Sequence, residues 1–93
     1  MPSKDIINIT HQIDILLYLS THPGADTSQI VGDLKMNWRQ VNYILNKRSE
    51  DGYVEKTRKD RLMLGGEKFD FTLTEAGLSF LTELKEKLEL LKK

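Results

Sequence analysis

Arg39, Gln40, Tyr43 and Asn46 lie close together in a stretch whose apolar residues, Val41, Ile44 and Leu45, recur at helical spacing. At ~100° per residue those three fix the buried side of a helical wheel. Arg39, Tyr43, Asn46 and Glu50 then point away from it, with Gln40 and Lys47 beside them. Arg, Gln and Asn are the side chains that pair bidentately with guanine or adenine edges in a DNA major groove. Asn37, just before this helix, is a candidate both as its cap and as a contact residue. Downstream, Lys56, Arg58, Lys59 and Arg61 form a basic run suited to phosphate or minor-groove contact. Any exposed helix face is polar, so none of these residues is diagnostic alone.

The distribution of charge adds weight to the pattern. The chain has 93 residues, and its 14 Lys and Arg offset 14 Asp and Glu. The balance is uneven along the chain. Residues 1–34 hold one base against four acids, residues 35–61 eight bases against four acids, and residues 62–93 five bases against six acids. The positive segment is the one carrying the candidate contacts, where a DNA-binding surface needs its cations. Double-stranded DNA is therefore the expected partner.

Signs of enzyme chemistry are missing. Gly65–Gly66 has neither the spacing of a phosphate-binding loop nor a following Lys-Ser/Thr. His11 and His22 would stand ~16 Å apart along one helix, without the i, i+4 spacing of a helical zinc pair. Both are expected to be ordinary helix residues. With no cysteine there is no thiolate metal site, disulfide or Cys nucleophile. No cofactor or metal is expected. The longest apolar run, Ile15 to Leu19, is five residues, far short of the ~20 that span a membrane. With no signal-peptide pattern at the start, a cytoplasmic protein is expected.

The elements that must position these residues follow from periodicity. A first helix over about Thr10–His22 carries Ile9, Ile13, Leu16 and Leu17 on one stripe, widened by Ile15 and Leu19, and stops at Pro23–Gly24. Asp26 caps a second helix, with Gln29 completing a capping-box-like pair. Asn37 opens the third, which ends near Asp51–Gly52. The period then changes. Tyr53–Lys59 and Phe69–Leu73 read as strands joined through Gly65–Gly66, and Thr74 caps a last long helix. This is a mainly α fold with a small β hairpin, in a single domain.

The order and its motifs resemble a winged helix-turn-helix. Ile30-Val31-x-x-Leu34-x-Met36-Asn37-x-x-x-Val41-x-x-Ile44-Leu45 is similar to the crossing of two helices joined by a short turn, with Met36 plugging the turn. Gly52-Tyr53-Val54 and Leu73-Thr74-Glu75-Ala76-Gly77 are similar to the signatures bracketing the wing in the multiple-antibiotic-resistance-regulator and phenolic-acid-regulator families. In size the chain is closer to small archaeal, plasmid and viral winged-helix proteins with one C-terminal dimerising helix. The resemblance implies a winged-helix body over 10–73 and a dimerisation helix over 74–93. It also implies a transcriptional regulator that places the helix over 37–51 in the major groove and the wing on adjacent backbone. An architectural chromatin protein and a protein-interaction module are the alternatives.

Some residues depart from the family pattern. Lys35 stands where the turn usually has Gly, so a non-glycine must adopt an unusual backbone. Arg48 replaces a Leu expected to continue the stripe. Trp38 is expected to pack against the neighbouring helix. Leu62-Met63-Leu64 is expected under the wing or against a second copy, rather than as a wedge between bases. Leu81, Leu84, Leu88 and Leu91 form a short a/d seam on a helix expected to have little of its own core to cover them. Self-association through that seam is expected. Lys85, Lys87 and Lys92 flank it and disfavour a bare two-helix zipper. Packing against the other copy's N-terminal segment, with Asp5 and Asp14 beside Ile6, Ile7 and Ile9, answers those charges.

Overall fold

The computed structural model describes residues 4–58 and 69–92, with side chains from residue 7 onward. Four helices and a two-stranded hairpin appear in the expected order: α1 Lys4–Thr21, α2 Thr27–Leu34, α3 Trp38–Glu50, β1 Val54–Arg58, β2 Phe69–Leu73 and α4 Glu75–Lys92. The first helix starts six residues earlier than the expected Thr10. Lys59, expected at the end of the first strand, lies outside the described residues, as do Arg61, Leu62-Met63-Leu64 and Gly65–Gly66.

Helix α1 is the centre of the core. Ile15 and Leu16 are fully buried, and Ile9, Ile13, Tyr18 and Leu19 are nearly so. At ~100° per residue these six cover more than half of the helix circumference. Leu17 falls ~40° beyond Ile13 and is 44% exposed, so its expected place on the buried stripe is corrected. The arc is wide because α2, β2 and α4 all pack on α1.

The connection after α1 does more than turn. Gly24, at φ +83°, donates to the Phe71 carbonyl at 3.0 Å, and Phe71 donates back to the Ala25 carbonyl at 2.9 Å. Ala25 thereby forms a bridge on the outer edge of β2, whose other edge pairs antiparallel with β1. The register sets Val54 opposite Leu73, Lys56 opposite Phe71 and Arg58 opposite Phe69. Buried Val54 and Phe71 anchor the hairpin in the core.

Local capping fixes the two short helices. Asp26 accepts from the Gln29 backbone N–H at 2.8 Å. The Gln29 side chain does not complete a reciprocal box but donates to the Tyr18 hydroxyl at 3.0 Å. That hydroxyl in turn donates to Asp33, tying the end of α1 to α2. Lys35 ends α2 in the left-handed region (φ 55°, ψ 48°), its N–H bonded to the Val31 carbonyl. Met36 then packs on the core as the turn's plug.

Candidate nucleic-acid interface

Asn37 sets the start of α3. Its Oδ1 accepts from the N–H groups of Arg39 at 2.8 Å and Gln40 at 3.3 Å, satisfying two otherwise orphaned donors. Val41, Ile44 and Leu45 bury the inner face of the helix, which turns Arg39, Tyr43, Asn46 and Lys47 to solvent. Tyr43 is 66% exposed. Gln40 is half-buried, and its amide donates to Nδ1 of His11 on α1. It therefore holds α3 to α1 on one side of the face, and His11 acts as its acceptor.

The hairpin is joined to this face by one side chain. Lys56 on β1 donates from Nζ to Asn46 Oδ1 at 3.0 Å, and the same ammonium lies 4.3 Å from the centre of the Phe69 ring on β2. A cation held between an amide oxygen and an aromatic face fixes the angle between strand and helix. Arg58, one pleat further out, is exposed on the same side of the strand. The structure thus brings Arg39, Tyr43, Asn46, Lys47, Lys56 and Arg58 to one side of the molecule. Lys59 and Arg61 lie outside the described residues.

Arg48, although part of the positive segment, is spoken for. Its guanidinium pairs with Asp51 at 3.1 Å and stands 5.2 Å from the Phe80 ring centre. Phe80 also stacks on Tyr53, with centroids 4.2 Å apart. The arginine stands where a leucine was expected, its side chain only 17% exposed and its head lying over one ring of an aromatic pair. Three residues depart from the sequence reading more directly. Trp38 is 52% exposed rather than packed on a neighbouring helix. Leu81 and Leu84 are buried in the chain's own core, so that part of the proposed seam is covered by packing across α1. Leu88 is partly buried, while Leu78, Leu90 and Leu91 are exposed.

A cleft of about 440 Å³ between α1 and α4 had no signature in the sequence. Asn8, Gln12, Arg48, Phe80, Glu83 and Lys87 contribute to its walls. Among the described residues no cluster of His, Cys, Asp or Glu could hold a metal ion, and no helix is long and apolar enough to cross a membrane.

No family model matches this sequence, and no curated protein matches it. Solved structures do. A PadR-like transcription factor from Bacteroides fragilis matches with a TM-score of 0.76 at 22% identity, over 92% of this chain and 86% of its own. The PcaV transcriptional regulator from Streptomyces coelicolor, in complex with its natural ligand, matches with a TM-score of 0.71 at 18% identity over 88% of this chain. The YusO protein from Bacillus subtilis matches with a TM-score of 0.69 at 16% identity over 87% of this chain.

The fold is a winged helix.

In winged-helix terms, α2 and α3 form the helix-turn-helix and the β1–β2 hairpin is the base of the wing. The chain spans 56% of PcaV and 55% of YusO, little more than half of either. The winged helix explains the two bracketing motifs physically. Thr74 donates from Oγ1 to the Gly52 carbonyl at 2.8 Å and accepts from the Gly77 N–H at 3.0 Å. One threonine thus caps α4 and ties it to the residue that begins the wing.

Proposed function

We propose that this winged helix is a sequence-specific transcriptional regulator of double-stranded DNA that acts as a homodimer. Helix α3 enters the major groove, and the wing grips adjacent backbone or minor groove. The observation that carries this reading is the shared face of Arg39, Tyr43, Asn46 and Lys47, joined to the wing through Lys56. Arg39 supplies a bidentate donor for guanine. Asn46 keeps its amide NH₂ available while its oxygen holds Lys56. Asn37 and Gln40 act by position, one as the cap of α3 and the other as its tie to α1. Lys56, Arg58, Lys59 and Arg61 serve the backbone.

The structures named above as transcription factors and regulators support the same reading through a common fold, although a fold by itself hosts many functions. Leu88 and Leu91, the part of the stripe that the chain's own core does not bury, support self-association. A two-fold dimer would present two α3 helices to inverted half-sites about 34 Å apart, one DNA turn. A place in the cytoplasm or on the nucleoid follows from that activity.

Substitution distinguishes reading from grip. Arg39→Ala is expected to cost about 1–3 kcal/mol on a preferred site and to relax its sequence preference. Arg58→Ala is expected to weaken all DNA about equally. Uniform effects of both changes would favour an architectural protein instead.

A further inference from the structure

Trp38 is a large side chain at the start of α3 that neither the core nor the polar contacts explain. It is the first residue of α3, directly after the Asn37 cap, and half of its surface is in water. Among the described residues its indole makes no hydrogen bond, ring contact or cation contact. One helical turn on, Asn42 accepts from Thr27 Oγ1 at 3.1 Å, so this edge of α3 adjoins the first turn of α2. Indole offers two fused apolar rings and a single N–H donor. It has no oxygen or second donor with which to read a base edge bidentately.

A helix-turn-helix docks with the N-terminal residues of its second helix at the base edges, while its first helix crosses the backbone. In that pose Trp38 leads α3 into the groove. The major-groove edges of the four base pairs are polar but for one group, the C5 methyl of thymine. We infer that Trp38 determines specificity by packing its ring face on the methyl of a thymine at a fixed position in each half-site. Arg39, the next residue, would take the polar edge of a neighbouring pair. This inference rests on the DNA-binding reading above and adds a base identity to it.

The experiment begins with the full chain selecting a preferred duplex from random DNA. Each thymine of that duplex is then replaced, one at a time, by deoxyuridine, which keeps the base pair and removes only the methyl. Wild type is expected to lose about fourfold in affinity at one thymine per half-site, the cost of leaving one methyl-sized group unburied. Trp38→Ala should bind the thymine and uracil duplexes equally at that position, and Trp38→Phe should keep part of the difference. Circular dichroism and melting establish that each variant is folded. A flat uracil scan on a duplex that wild type does select would overturn the thymine assignment alone. So would a folded Trp38→Ala that retains the full discrimination, or one that changes only the oligomeric state. A wild-type chain that binds no DNA would overturn the function reading as well.

Discussion

The carbonyl oxygen of Tyr53 occupies the place where a side chain at Gly77 would begin. A Cβ there would also lie 2.7 Å from Leu73 Cδ1. Gly77 is buried in the first turns of α4, and Tyr53 leads into β1, so this approach sets how closely the C-terminal helix lies on the wing. The Tyr53 carbonyl cannot retreat freely, because it also accepts from the Thr74 N–H at 3.1 Å. Gly77→Ala is therefore expected to destabilise the fold by about 3 kcal/mol, at the upper end of overpacking effects. Urea denaturation checks this, with Ala76→Gly as an exposed control expected to cost about 1 kcal/mol.

Lys35 carries strain that glycine would relieve. A non-glycine residue in the left-handed region costs on the order of 1 kcal/mol. Lys35→Gly is expected to leave the turn in place and raise stability by up to about 1 kcal/mol. Lys35→Val, β-branched at the same angles, should lower it. Thermal melting of the two variants should displace the midpoint in opposite directions.

Much of this architecture was legible in the sequence because it depends on local chemistry. Asp26 and Asn37 cap as their types predict, Met36 plugs the turn, and the left-handed turn falls on Lys35 as the family pattern requires. What was not legible depends on which neighbours stand where. A helical wheel gives the direction of Trp38 but not whether another helix covers it. Leucine spacing in α4 shows a stripe, but α1 lies against that stripe and covers Leu81 and Leu84. The pairing of Ala25 with Phe71 joins residues far apart in the chain, and Pro23–Gly24 signalled only a turn. As candidate base readers, Gln40 and Asn46 looked alike in the sequence. The structure gives one to His11 and the other to Lys56.

The burial of Leu84 decides how self-association should be tested. Leu84→Asp would unfold the chain, because this leucine is only 7% exposed and belongs to the core. Leu90 and Leu91 are 71% and 40% exposed, so Leu90→Asp, Leu91→Asp should leave each copy folded. Under the dimer proposal, wild type is expected to sediment as a dimer and this variant as a folded monomer. A double variant that remains dimeric would move the interface away from the end of α4.

Tyr18 makes part of the stability pH-dependent. Its hydrogen bond to Asp33 raises the phenol above its usual value near 10, and burial adds to the shift. A raised folded-state value means the unfolded chain loses this proton first. The contribution is therefore fully present below pH 10 and is lost as pH rises through the folded value. Compared with Tyr18→Phe, wild type should lose stability more steeply above pH 10, measured by urea unfolding at a series of pH values. Parallel curves for the two proteins would contradict the assignment.

If the face built by α3 and the wing meets DNA phosphates and bases, binding must weaken as salt rises. Binding of the full chain to its selected duplex should weaken linearly on a log–log plot against salt, with a slope of about −5 to −7 for a dimer neutralising roughly six to eight phosphates. Lys47→Ala and Arg58→Ala should each make the slope shallower, by about one for every phosphate left without its cation. A slope near zero, or no binding at low salt, would rule out DNA as the partner of this face and favour a winged helix that binds protein.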